Sequence, residues 1–191
     1  MDFFAVNNKR RTVRCFKQIK VKKAAIKKML DAARKCSSAG NMQQLRYIVV
    51  SSKELVNKIF THTAWGGLVK PMRNPEIGKS APLVFIAVIA PQHEEYIIHA
   101  DAGATIQTMQ LAAAAQQLGC CWLGAFNRSE VNKILEINNS SNVLYLLAVG
   151  YPDETPIMEN INGAGSVKYY LDKANRLHVP KLTVDAITEW R

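Results

Sequence analysis

From Lys22 to Lys35 the apolar positions recur with a helical period. Ile26, Met29, Leu30 and Ala33 share one face, and Lys23, Lys27, Lys28 and Lys35 fall largely off it, which predicts an amphipathic helix. The pattern then changes. Leu45–Ser51 is a short apolar run rich in β-branched residues and predicts a strand, and Lys53–Phe60 predicts a short helix. Leu83–Ile89 is apolar without alternation, as expected of a strand covered on both faces near the centre of a sheet. Ser129 caps a predicted helix through Glu136, and Val143–Tyr151 predicts a second buried strand ended by Pro152. Residues 153–165 read as loop, Val167–Leu171 as a short strand and Asp172–Asn175 as a turn.

Between these elements lies a stretch of a different kind. From Asp101 to Leu118 the only charge is the first residue, and Ile106, Met109, Leu111 and Leu118 are set among Ala112–Ala115. Alanine favours helix and Asp101 is a good N-cap, so a helix of about 27 Å is expected, ended by Gly119. It is apolar nearly all round, so it belongs inside the protein or between two copies of it. Gln107, Gln110, Gln116 and Gln117 argue against a lipid-spanning role. A short apolar strand containing Gly124 follows, where a flat ligand can approach the backbone closely.

A length of 191 residues with 48% apolar composition is expected to form a single domain, residues 1–191. Met1–Phe4 runs directly into basic residues without the apolar core of a secretion signal, so the expectation is a cytoplasmic protein. The net charge of +10 is concentrated: the first 35 residues carry twelve Lys or Arg against two Asp, and the remainder is balanced. That excess fits a nucleic-acid patch, a site for an anionic cofactor, or a solvated helix face. The helix at 22–35 has no aromatic residue on which a base would stack, which weighs against single-stranded nucleic acid. Cys15, Cys36, Cys120 and Cys121 have no zinc spacing and no C-x-x-C. The vicinal pair is either a redox pair or two small buried hydrophobes. His62, His93, His99 and His178 lack metal-ligand spacing, so no metal is expected. No dinucleotide fingerprint and no nucleophile elbow occurs, and Gly78-Lys79-Ser80 is not a P-loop, because Arg73 stands at the first glycine position and Ala81-Pro82 follows. A nicotinamide cofactor would therefore have to visit as a substrate.

Two segments carry candidate binding chemistry. Asn7–Arg14 gathers Arg10, Arg11 and Arg14 with the hydroxyl of Thr12, planar donors suited to phosphate, although a solvated basic start is the alternative. Cys36–Gln44 is a loop of small and polar residues whose backbone can approach a ligand while Ser38, Asn41 and Gln43 offer hydrogen bonds. The irregular, glycine- and proline-rich stretch His62–Ser80 reads as a flap, and the tail ending in Trp190 as a clasp on a partner subunit.

Arg10-Arg11-Thr12-Val13-Arg14, followed by Ser37-Ser38-Ala39-Gly40-Asn41-Met42-Gln43 before a strand, resembles the nitroreductase family of flavoproteins, whose pattern runs R-R-S-x-R and then P-S-A-x-N-x-Q-P-W. Asp101-Ala102-Gly103, Leu118–Gly124 and Val149-Gly150-Tyr151-Pro152 resemble the same family in the same order. Ser37 stands where the family usually has proline, and Gln44-Leu45 where it has Pro-Trp. The resemblance implies an α+β fold with a mixed, mainly antiparallel sheet flanked by helices, in an entwined homodimer with FMN at the subunit interface. It implies that Arg10, Arg11, Thr12, Arg14 and the tail residue Lys181 hold the phosphate and ribityl chain. Ser37, Ser38, Ala39 and Asn41 would come from the other subunit, Asn74 would meet the ring edge, and the backbone of Leu123, Gly124 and Ala125 would lie near flavin N5. It implies hydride transfer from NAD(P)H through the flavin to a small-molecule acceptor such as a nitroaromatic or quinone, with no catalytic side chain. The tail from about 176 would pack on the partner. Other readings are a related flavin reaction, dehalogenation or oxidation of a small metabolite, and a basic nucleic-acid-binding module.

Overall fold

The structure is a computed structural model describing residues 2–67, 69, 74–92 and 96–191. Its elements in order are α1 (Phe3–Lys9), β1 (Phe16–Lys17), α2 (Lys23–Ala33), a single 3-10 turn (Ala39–Asn41), β2 (Arg46–Val50), α3 (Lys53–Phe60), β3 (Val84–Pro91), α4 (Tyr96–Ala114), β4 (Gly119–Leu123), α5 (Arg128–Ile134), β5 (Ser141–Pro152), β6 (Ile157–Ile161), β7 (Tyr170–Leu171), β8 (Leu177–Leu182) and α6 (Val184–Ile187). The main sheet runs β1-β5-β3-β2 with β4 also paired to β5, all antiparallel. A smaller sheet, β6-β8-β7, joins β6 to β8 in parallel and β7 to β8 antiparallel. The α+β class and the mixed, mainly antiparallel pairing agree with expectation.

Alternation along the strands divides the core. Val84, Ile86, Val88 and Ala90 of β3 pack with Ile26 and Met29 of α2 and Ile106 and Met109 of α4. Phe85, Ala87 and Ile89 face the opposite way, onto Val56 and Ile59 of α3 and Val131 of α5. β3 is thus covered on both faces, as its unbroken apolar run requires. Between Val88 and Ile89 the register with β5 slips, leaving Leu144 as an extra residue. The bulge turns Leu144 and Tyr145 toward the same layer, where the Tyr145 hydroxyl meets His99 Nδ1 at 3.1 Å and its ring packs edge-on against Trp122.

Several local expectations are corrected. α4 begins at Tyr96, so Asp101 lies within the helix rather than at its cap. Its carboxylate accepts from the Ala39 N–H instead, at 3.1 and 3.3 Å. The helix is stopped by Gln117 in the left-handed region (φ 62°), not by Gly119. α5 is capped by Asn127, whose side chain accepts from the Glu130 N–H, not by Ser129. Residues 153–165 contain β6, and the tail supplies β8 as its parallel partner. At the opposite end, Asp2 caps α1, which the apolar pattern did not suggest. One face of α4 is buried by this chain, while His99, Ala100, Ala104 and Gln107 remain exposed. Of the stretch expected to form a flap, Leu68, Lys70 and residues 71–73 lie outside the described residues, as does His93. Among the described residues no helix is long and apolar enough to cross a membrane.

Candidate functional site

Gly119 and Gly150 are partners across β4 and β5. A Cβ on Gly119 would stand 2.7 Å from Val13 Cγ2, and one on Gly150 would stand 2.8 Å from Phe16 Cδ1. The paired glycines leave a trough in the sheet, and Val13 and Phe16 fill it. The N-terminal segment is fixed there by the Val13 N–H to Cys120 carbonyl bond (2.9 Å), the Thr12–Cys120 bridge and the pairing of β1 with β5. The fold therefore lays the arginine segment directly along β4.

Extended backbone sends successive side chains to opposite sides. Arg14 lines a cavity of about 430 Å³ together with residues 63–67, Asn74 and residues 121–125. Arg11 and Val13 line a different cavity of about 380 Å³, with Lys9, Lys17 and Glu154. Arg10 is half-buried, and its Nε has no hydrogen-bond partner among the described residues. Burial disfavours the charged forms of Arg10 and Arg11, and for Arg11 the charge of Arg10 adds to the cost. A partly buried cation with an orphaned donor is stabilised most readily by an anion.

β6 and the connections that lead into β6 and β7 touch the same segment. The Glu154 carboxylate accepts from the backbone N–H groups of Arg14 and Cys15, the Arg14 guanidinium stacks 5.0 Å from the Tyr169 ring centroid, and Arg11 Nη2 contacts Met158 Sδ. Lys181 sits exposed on β8, paired in register with Asn160. None of Glu154, Met158 or Tyr169 was distinguished by sequence pattern, because each acts by a contact distant along the chain.

The floor of the larger cavity is the end of β4. Thr63 bridges Phe126, Ala64 N–H donates to the Ala125 carbonyl, and buried Trp65 donates from Nε1 to Thr63 Oγ1. Residues 62–65 are thus annealed to the strand end, a neighbour that the sequence did not reveal. Gly124 is exposed, and a Cβ there would meet only Tyr145 at an ordinary 3.7 Å. The fold itself does not require glycine at 124; its bare backbone leaves space on the cavity side. Cys120 and Cys121 are buried, and burial pushes the Cys121 thiol up to about 11, so the pair reads as core rather than a redox couple.

Ser37 and Ser38 line a third cavity, of about 270 Å³, with Asp101 and Thr105. Their loop is unusually shaped: Gly40, Asn41 and Gln43 all have positive φ (54°, 55° and 50°). Asp101 holds it through Ala39. Within one chain the structure therefore brings together Arg14, Asn74, Leu123, Gly124 and Ala125, but places Ser37 and Ser38 at a separate cavity. Arg10, Thr12, Ala39, Asn41 and Lys181 line none of these three cavities.

A family model described as "Nitroreductase family" matches residues 8–151. A provisionally named NAD(P)H nitroreductase of Bacillus subtilis is 29% identical over 161 residues, covering 77% of this chain and 82% of that one. Among solved structures, a nitroreductase family protein from Clostridium novyi superposes with a TM-score of 0.68 at 23% identity, covering 80% of this chain and 86% of that one. A provisionally named nitroreductase from Desulfovibrio desulfuricans, solved in complex with FMN, gives 0.66 at 24% identity, with coverage of 81% and 88%. At these identities the two structural likenesses speak to fold alone.

Proposed function

The chain belongs to the nitroreductase family, and on that premise we propose that it is an FMN-dependent oxidoreductase that uses NAD(P)H in the cytosol to reduce a small-molecule acceptor, a nitroaromatic or a quinone. The observation that carries the reading is the half-buried Arg10, whose Nε has no partner among the described residues, on a segment laid along β4 beside an open cavity. Bound FMN supplies hydride acceptance and donation at its N5 atom.

The chain's own residues bind and orient. Arg10, Arg11, Thr12 and Arg14 form the donor set for the phosphate and ribityl chain, and Lys181 adds a point charge. Arg11 serves from the far side of the segment, since it lines a cavity apart from Arg14. Asn74 borders the ring edge. Leu123, Gly124 and Ala125 present backbone, with N–H groups available to the ring nitrogen, and absence of a side chain at Gly124 admits a planar group. No acid–base side chain is required, since orientation of the donor and acceptor at about 3 to 3.5 Å provides most of the effect.

The whole chain works as one unit in a homodimer. Ser37, Ser38, Ala39 and Asn41 line the flavin bound by the other subunit, and the tail from about 176 packs across the interface. This is supported by the separation of the Ser37–Ser38 cavity from the Arg14 cavity within one chain. It is supported also by the exposure of Tyr96, Val184, Ile187 and Trp190 at 86%, 68%, 67% and 89%.

The visible spectrum of the purified protein tests the reading. A flavin band is expected, and heat-released chromophore should be FMN rather than FAD. Arg14→Ala is expected to raise the Kd for FMN about tenfold, equivalent to about 1.4 kcal/mol. A colourless protein that takes up no FMN overturns the function, and unchanged affinity in Arg14→Ala overturns the phosphate assignment.

A further inference from the structure

One cluster of ionisable groups is left unused by the cofactor chemistry. His178 on β8 is 12% exposed at its side chain and lies between two carboxylates from two other places in the chain. Its Nδ1 is 2.6 Å from Glu159 Oε1 on β6, and its Nε2 is 3.1 Å from Asp172 Oδ2 in the turn after β7. The imidazole stacks on the Tyr170 ring of β7, with centroids 4.9 Å apart and planes 14° apart. The Tyr170 hydroxyl donates to Glu159, and Arg176 donates from Nε to Asp172 at 2.7 Å. The groups facing His178 are thus Glu159, Asp172, Tyr170 and, through Asp172, Arg176.

A neutral imidazole has one N–H and one lone pair. It can donate to one of these carboxylates but must then turn its lone pair toward the other. Only the imidazolium donates to both. Protonated, His178 donates at once to Glu159 on β6 and to Asp172 in the β7–β8 turn; neutral, it can donate to only one of these carboxylates, while the strands stay joined by their backbone pairing. The arginine segment is touched by Met158 of β6, and by Glu154 and Tyr169 in the connections that lead into β6 and β7; Lys181 lies on β8 three residues after His178.

We propose that His178 is a positioning residue: as an imidazolium it fixes β8, and with it Lys181, against the arginine segment, so that the grip on an anionic phosphate is set by pH. The coupling to flavin phosphate rests on the proposed FMN function; the clamp itself does not. Both carboxylates raise the His178 pKa above its ordinary value, with Asp172 the larger influence, and Arg176 and His178 hold Asp172 well below the usual carboxylate range. The sign follows: the clamp is complete below the unfolded-state histidine pKa and is lost as pH rises through the raised folded value.

The test is an NMR titration of the imidazole protons in the full chain without added flavin, with His178→Gln to assign the resonance. A His178 midpoint above about 6.5, lowered by Glu159→Gln, is expected; a midpoint at or below that value overturns the clamp. FMN and riboflavin affinities are then measured from pH 6 to 9 by flavin fluorescence quenching. The FMN Kd of the native chain relative to Glu159→Gln should rise several-fold as His178 deprotonates. The ratio cancels the titration of the FMN phosphate itself. Riboflavin, which lacks the phosphate, should show no such change. A flat ratio for FMN, or an equal change for riboflavin, overturns the action on the phosphate. If neither flavin binds, the FMN function fails and the coupling with it, while the imidazole titration still decides the clamp.

Discussion

Val13 occupies the volume that a side chain at position 119 would need. The nearest approach of 2.7 Å is to a β-branched side chain that is itself buried, so neither partner can yield cheaply. Gly119→Ala is expected to destabilise the protein by about 1–3 kcal/mol through overpacking. It should also displace the Thr12–Cys120 bridge, and therefore weaken FMN binding although residue 119 is not among the residues proposed to hold the cofactor. Chemical denaturation and FMN titration check both effects. Val13→Ala in the same chain should recover part of each, because it removes Cγ1 and Cγ2 while Cβ, at 2.8 Å from the new methyl, remains. Destabilisation without any effect on FMN would separate the trough from the binding site.

At the scale of elements, the loop before β2 is held from outside itself. Its three positive-φ residues, two of them not glycine, keep a shape that the local sequence does not favour. Asp101 on α4 supplies the restraint through the Ala39 N–H. Asp101→Ala should cost about 1 kcal/mol, speed hydrogen exchange at the Ala39 amide, and reduce FMN affinity at the partner subunit's site. Fast exchange with normal FMN binding would show that the loop is not a flavin wall. This role also explains what the sequence concealed. An aspartate before an alanine-rich run has the chemistry of an N-cap, but the same oxygens serve equally well for a loop N–H distant along the chain, and α4 extends back to Tyr96. β6 was hidden for a related reason. Ile157, Glu159 and Ile161 share its covered side while Met158 is exposed, so the inward position expected to be apolar holds the carboxylate that meets His178. Its partner β8 lies in the tail and pairs in parallel, beyond any local signal. Where burial by apolar neighbours decides the outcome, as in α3 and β3, the pattern was sufficient; the Arg10–Arg14 and Ser37–Asn41 segments stand out in the sequence only as candidate sites, because small and cationic residues are gathered there.

For the whole molecule, the distribution of apolar surface sets an expectation that no single contact does. α4 leaves Ala100 and Ala104 uncovered, Trp122 is 38% exposed at the rim of the Arg14 cavity, and Tyr96, Ile187 and Trp190 stand largely in solvent. Large exposed aromatic and aliphatic groups on one chain are explained if a second copy covers them, and the two separated halves of the proposed flavin site require the same copy. Dimerisation and flavin binding should then be linked, each strengthening the other by the same factor. Sedimentation across a dilution series should find a dimer carrying one flavin per chain, with added FMN lowering the dimer dissociation constant. Replacing both Ile187 and Trp190 with aspartate places charges on that surface and should raise the dimer dissociation constant at least tenfold, about 1.4 kcal/mol. Flavin affinity should fall in parallel at concentrations where the variant is monomeric. A monomer of that variant that still binds FMN with native affinity would mean that one chain holds the whole site, and the assignment of Ser37, Ser38, Ala39 and Asn41 to the neighbouring flavin would be wrong.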